Sequence, residues 1–205
     1  MVLVFEIGME GKPLRKKSHL CLAGFLVRSL DHEILRRRWR SFYIGSILPD
    51  CRPAFVTVRH EFDVTFDLVE EKIRRLIETD LYRPEDCIRY MVDLGQVMHY
   101  LADYFTFPHN SHFPGNLKDH CKYENVLKHE LRRYINEDQA VFHMAYPGRF
   151  LSADEILDYI RKTHEEYMQK TRSVEEDCEF ITRVCSHVLS GVLCLAEEPV
   201  LVFAA

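Results

Sequence analysis

Histidine and carboxylate residues at four-residue spacing are the strongest chemical signal in this sequence. His99 and Asp103 form one such pair, and His120 and Glu124 form a second pair. Residues four apart lie on the same face of an α-helix, one turn from each other. Both side chains of a pair can therefore reach one metal ion at ligand distances of roughly 2 Å.

Each pair also belongs to an apolar stripe, which predicts that it faces the protein core. The stripes consist of Ile88, Val92 and Gly95 before His99, and of Leu127 and Leu131 after Glu124. A buried carboxylate costs free energy unless something compensates its charge. A divalent metal would do so, and a buried hydrogen bond between histidine and carboxylate is the alternative. Imidazole and carboxylate ligands without thiolates favour zinc, with manganese and iron as further candidates.

Four more candidate ligands lie at helix ends and in one loop. His19 begins the first predicted helix, Asp50 directly follows a helix-ending proline, and His60 directly precedes another helix. His109 lies in a loop that is bracketed by two prolines. Side chains at the ends of helices commonly carry function. Each of these residues by itself also fits an ordinary core or surface position, so the ordered set carries the argument.

The ordered set of residues resembles the zinc-dependent phospholipase C family. Its specific pieces are the Ser-His-Leu segment at His19, the His99-x3-Asp103-x5-His109 run and the His120-x3-Glu124 pair. The similarity covers roughly residues 18–130. It implies an all-α fold, a single domain of about seven helices around a multinuclear zinc site, similar also to the single-strand-specific zinc nucleases.

The resemblance implies a role for each candidate residue. Asp50, His60, His99 and Asp103 would hold one zinc ion, and His109, His120 and Glu124 would hold its neighbour. His19 and Asp103 would contribute to a third ion, which the family completes with an N-terminal tryptophan. The only tryptophan here is Trp39, in a later helix, so two zinc ions are expected and the third is in question. Asp50 would also orient or deprotonate the attacking water.

The implied function is zinc-dependent hydrolysis of phosphate esters by a metal-bound hydroxide, as in a phospholipase C. The expected partner is a phosphoester substrate, with phospholipid as a candidate. Basic clusters at Lys12 to Lys17 and at Arg36 to Arg40 are compatible with peripheral membrane contact or with solvated helix faces. A net charge of −5 gives no general attraction to nucleic acid, so no stable nucleic-acid partner is expected.

Aromatic residues crowd the ligand segments. They are Tyr100, Tyr104, Phe105, Phe107, Phe113 and Tyr123. Such residues fit an apolar wall for acyl chains, a stacking face for a base, or ordinary core packing.

Three other functions stay open at this point. Zinc nucleases share the scaffold but use aspartate where this chain has Glu124. Phosphohydrolases of the His-Asp type need an adjacent His-Asp dipeptide, whereas Asp119 precedes His120 here. A metal-stabilised helical module without turnover is the third alternative, because zinc with a closed coordination shell is structural.

The remaining sequence predicts one all-α domain over residues 1–205, with residues 1–17 as an N-terminal arm. Apolar periodicity predicts helices near residues 19–30, 32–48, 62–76, 85–106, 116–134, 152–170 and 174–196. The segment 85–106 is apolar on more than one side, which is typical of a central helix. Nothing in the sequence indicates an oligomeric state.

The cysteines argue against a disulfide framework. Their number, 7, is odd, and no Cys-x-x-Cys pair occurs. We expect buried free thiols in a reducing compartment. The N-terminal residues lack the pattern of a secretory signal peptide, so cytoplasmic localisation is the expectation.

Overall fold

The computed structural model describes residues 14–51, 59–79, 86–137, 149–170 and 173–197, and every regular element in these ranges is helical. The α-helices are α1 (Leu14–Ser29), α2 (Glu33–Arg37), α3 (Trp39–Ile47), α4 (Phe62–Glu78), α5 (Cys87–Tyr104), α6 (Leu117–Asn136), α7 (Ala153–Gln169) and α8 (Val174–Glu197). Short 3₁₀ helices follow α3 at Pro49–Cys51 and α5 at Phe107–His109. The predicted all-α fold class is confirmed.

Two boundaries differ from those predicted. The segment 32–48 forms two helices, because Arg38 adopts φ −113° and ψ 21° and interrupts the α-helical backbone between them. The described residues therefore contain 8 α-helices, one more than the seven segments predicted. Helix α1 begins at Leu14, so the end of the predicted N-terminal arm is helical. The rest of that arm, residues 1–13, lies outside the described residues.

Helices α5 and α8 form the centre of the bundle. Leu94 and Leu101 of α5 and Val188 of α8 are each 0% exposed. The predicted central position of α5 is thus confirmed, and α8 shares it. Helix α8 has the length and hydropathy of a candidate membrane span, but 72% of its most apolar window is buried inside the protein, as in a core helix.

The outer helices bury one face each. The apolar periodicity that predicted a helix near 62–76 corresponds to a core-facing stripe of α4, with Val69 and Ile73 buried. Helix α6 buries Leu127 and Leu131 as predicted. The stripe predicted to lead into His99 is wrong at its first position, because Ile88 is 54% exposed. The buried positions of α5 begin only at Tyr90 and Met91, so its first turn lies outside the core.

Helices α3 and α5 approach each other to backbone contact through two glycines. A Cβ atom on Gly45 would lie 2.2 Å from the carbonyl oxygen of Val92, and one on Gly95 would lie 2.3 Å from that of Phe42. Neither distance admits a side chain. The close approach places the carbonyl oxygen of Ser46 2.8 Å from Nδ1 of His99 on α5.

We expect Gly95→Ala to lower the free energy of unfolding by about 3 kcal/mol, because the added methyl group must separate α3 from α5. Gly24→Ala is the matched control. Its Cβ would lie 2.7 Å from the Tyr43 hydroxyl and 3.1 Å from an Arg28 guanidinium nitrogen, and both are ends of side chains that can move. Denaturant unfolding of both variants measures the difference, and equal stabilities would show that the close approach is not a constraint.

Candidate metal centre

Helix α5 supplies the centre of the site. His99 and Asp103 lie one turn apart on its buried side and are 0% and 4% exposed. Nδ1 of His99 donates a hydrogen bond to the carbonyl oxygen of Ser46 at 2.8 Å, so its Nε2 faces the other candidate ligands. A hydrogen bond at the opposite ring nitrogen is the usual means of orienting a metal-binding histidine.

The Asp103 carboxylate lies where four imidazoles meet. Its Oδ2 is 2.9 Å from Nδ1 of His60 and 3.2 Å from Nε2 of His99. Its Oδ1 is 3.3 Å from Nε2 of His19 and 3.8 Å from Nε2 of His109. This one side chain therefore connects α1, the segment before α4, α5 and the loop after α5.

Asp50 forms a ligand group with His60 and His99. The ligand atoms of the three residues lie within 4.8 Å of one another. The Asp50 side chain is 5% exposed, and its Oδ1 is 3.7 Å from Nε2 of His99. Its Oδ2 is buried without a hydrogen-bond partner. Such an oxygen is costly when nothing compensates it, so the donor set fits a bound cation.

A further group joins the loop after α5 to α6. Oε1 of Glu124 lies 2.8 Å from Nε2 of His120 and 3.3 Å from Nε2 of His109. The His120 side chain is 17% exposed, against 8% for Glu124. His120 is therefore the most accessible member of this group.

A small cavity of about 20 Å³ lies beside the ligand groups. Its lining includes His19, Asp103, His109 and Glu124 together with apolar side chains such as Leu127. The cavity has room for about one water molecule or ion beside these donors.

Charge interactions shift the pKa values of the central pair. Burial alone would raise the pKa of Asp103, but the imidazoles of His109, His99 and His19 hold it well below its ordinary value. Burial alone would lower the pKa of His99, yet Asp103 and weaker contributions from Asp50 and the Ser46 backbone raise it. The centre therefore favours an ionised carboxylate beside positive charge.

The loop that carries His109 is held by a buried amide. Nδ2 of Asn110 donates to the carbonyl oxygens of Tyr104 and Thr106 at 3.2 and 2.9 Å. Its Oδ1 accepts a hydrogen bond from Nε2 of His164 in α7 at 3.1 Å. Asn110 was not among the predicted site residues, and His164 had no predicted role. Because the two are 54 residues apart, their contact leaves no local sequence pattern.

The structure brings every predicted ligand into this one cluster. The candidate groups are His19, His99 and Asp103; Asp50, His60 and His99; and His109, His120 and Glu124. Among the other histidines, His112 and His129 are exposed. His143 lies outside the described residues. No candidate group in the described part of the chain contains a thiolate.

The cysteines differ in part from the prediction. All are free, as predicted, but only Cys178 and Cys185 are buried. Cys51, Cys121 and Cys194 are exposed. Periodicity places Cys178 and Cys185 on the core face of α8, whereas the exposed thiols lie outside the core.

A sequence profile described as zinc dependent phospholipase C matches residues 18–174. The chain belongs to the zinc-dependent phospholipase C family. The matched span contains every candidate ligand and reaches beyond residue 130, where the resemblance noted from the motifs ends. No curated protein and no solved structure matches the chain. Membership of this family makes zinc the metal that the imidazole and carboxylate donors fit.

We expect His120→Ala to remove less zinc than His99→Ala. His120 belongs to one ligand group, whereas His99 is shared by two. Elemental analysis of the purified variants after dialysis measures zinc per chain. His129→Ala, an exposed histidine on the same helix as His120, should keep the wild-type content. Equal zinc loss in the two ligand variants would contradict the grouping.

His164 makes stability sensitive to acid. Burial lowers its pKa from 6.5 to about 4, against smaller opposing effects of Asp63 and the Tyr104 backbone. As the pH falls below 6.5, the unfolded chain takes up the proton first. The contribution of the neutral His164 ring to the free energy of unfolding is therefore complete above pH 6.5 and declines as the pH falls to about 4.

We expect His164→Gln to be less stable than the wild type at pH 7.5 and the difference to shrink by about 2 kcal/mol at pH 5. Denaturant unfolding in chelator at both pH values measures it, because the other titrating groups are common to both proteins. A difference that stays constant with pH would refute the neutral state of His164.

Proposed function

We propose that the chain is a zinc-dependent, phospholipase C-like hydrolase of phosphate esters. The observation that carries the proposal is the buried convergence of four imidazoles on the Asp103 carboxylate. Membership of the zinc-dependent phospholipase C family supports phospholipid as the substrate class. A centre with this donor set and an accessible edge suits hydrolysis better than a closed structural zinc site.

In this proposal, each ligand group holds a zinc ion. One ion is held by Asp50, His60, His99 and Asp103. Its neighbour is held by His109, His120 and Glu124. His19, His99 and Asp103 offer donors for a third, although Trp39 lies in α3 and supplies no N-terminal amine there. When bound, zinc neutralises the charge of a phosphate group and makes water acidic enough to react near neutral pH.

Asp50 is proposed as the residue that orients or deprotonates the attacking water. Its buried Oδ2 has no hydrogen-bond partner, so it can accept one from water. The Ser46 carbonyl holds the neighbouring His99 ring in place. The His99 ligand beside Asp50 is thus oriented before a substrate binds.

A half-buried aromatic cluster borders the accessible side of the centre. The Phe113 ring lies 5.2 Å from that of Phe107 and 6.1 Å from the His120 ring, between ring centres. Tyr104 and Phe105 are 0% exposed and belong to the core. Of the aromatic residues near the ligands, Phe107 and Phe113 are therefore the ones proposed to contact the apolar part of a phospholipid.

Cytoplasmic location and peripheral membrane contact complete the proposal. Free cysteines support a reducing compartment. The exposed residues Arg38 and Arg40 beside Trp39 support contact with anionic headgroups. Cell fractionation and vesicle sedimentation test these two parts separately.

The activity is tested with zinc-loaded protein on short-chain phosphatidylcholine, a generic phosphodiester, a phosphomonoester and single-stranded DNA, each with and without chelator. Release of phosphorylated headgroup that stops in chelator supports the proposal. Preferential cleavage of DNA would support a nuclease instead. Zinc-dependent thermal stability without turnover on any substrate would identify a structural metal module.

We expect Asp50→Asn to lower kcat by roughly 100-fold or more while the variant keeps more zinc than His99→Ala. The amide keeps the shape of the carboxylate but cannot take a proton. Steady-state kinetics and elemental analysis measure the two effects. Asp154→Asn, which changes an exposed carboxylate paired with Arg74, is the matched control and should leave kcat unchanged. Wild-type kcat in Asp50→Asn would remove Asp50 from the mechanism.

A further inference from the structure

A buried carboxylate in the first turn of α8 contacts three separate parts of the chain. Asp177 is 0% exposed. Its Oδ2 accepts a hydrogen bond from the Phe107 backbone N–H at 3.0 Å and one from the Tyr123 hydroxyl at 2.9 Å. Its Oδ1 accepts one from the Tyr167 hydroxyl at 2.8 Å. Burying a carboxylate is costly, and these three donors compensate the cost.

Two of these contacts reach the segments that carry one metal ligand group. Phe107 lies two residues before His109, in the same 3₁₀ helix. Tyr123 directly precedes Glu124 in α6. One oxygen of Asp177 therefore joins the loop that provides His109 to the helix that provides Glu124.

The third contact provides an internal comparison. Tyr167 lies in α7, which contributes none of the candidate ligands. Both tyrosine hydroxyls donate to the same carboxylate at nearly the same distance. Removing either hydroxyl takes one donor from Asp177, but only Tyr123 lies next to a ligand.

We propose that Asp177 is a positioning residue for the metal group of His109, His120 and Glu124. By holding the loop after α5 and α6 through a single oxygen, it sets the separation at which the three ligand atoms face one ion. The inference rests on the proposed function, because it requires that this group binds zinc. Asp177 lies beyond residue 174, outside the span that matches the family.

The ligands of the group that Asp177 supports come from separate elements. His109 comes from the loop after α5 and Glu124 from α6, and Oε1 of Glu124 lies 3.3 Å from Nε2 of His109. His99, in contrast, is oriented directly by the Ser46 carbonyl on a closely packed helix. Supporting contacts around metal ligands typically change metal affinity by 10-fold to 100-fold when removed.

The test compares Tyr123→Phe, Tyr167→Phe and Asp177→Asn with the full-length wild type. Competition with a chromophoric zinc chelator measures the affinity of each zinc ion, and denaturant unfolding in excess chelator measures the stability of the metal-free chain. We expect Tyr123→Phe and Asp177→Asn to weaken one zinc ion by roughly 10-fold and to leave the others unchanged. Tyr167→Phe should lower stability without changing any zinc affinity.

Equal zinc affinities in Tyr123→Phe and Tyr167→Phe would overturn the inference, since Asp177 would then act only on the fold. The tyrosine variants keep the test decisive if Asp177→Asn does not fold. A wild-type chain that binds no zinc would overturn the proposed function, and this inference with it. Normal zinc binding and turnover in the wild type separate the two failures.

Discussion

The charge of one buried carboxylate is the constraint on which the rest of this structure depends. Asp103 is 4% exposed, and each of its oxygens faces two imidazoles. Leaving such a charge without a partner in a protein interior costs several kcal/mol. The imidazoles can compensate it by taking up protons, or a divalent cation can compensate it while they stay neutral. The fold therefore requires positive charge beside Asp103. Zinc provides this charge without protonation of the imidazoles.

A rigid frame is needed to hold imidazoles from distant segments around one carboxylate. Gly45 and Gly95 allow α3 and α5 to meet at backbone distance, and Ser46 then orients His99 through its carbonyl oxygen. Asp50 follows directly, in the 3₁₀ helix after α3. The packing of α3 against α5 thus also determines the orientation of His99. A substitution at either glycine is therefore expected to change the geometry of the metal site.

The C-terminal helices α7 and α8 provide no candidate ligand. They contact the loop that carries His109. His164 of α7 contacts Asn110, next to His109, and Asp177 of α8 contacts the same loop from its other end. Buried polar contacts of this kind are made only in the complete bundle, because each costs free energy unless all its partners are present. The half of the chain that carries the ligands therefore depends on the half that carries none.

The sequence by itself determined the helical class, the core stripes of α4 and α6, and the two candidate ligand pairs, His99 with Asp103 and His120 with Glu124. These follow from local spacing, since residues four apart share a helix face whatever surrounds them. Only the tertiary structure decided that Asp103 lies between the groups, that Ile88 is exposed, and that Asp177 supports the site. Each depends on how separate helices pack against one another. Packing brings together residues that are distant in the chain, so no local pattern records it.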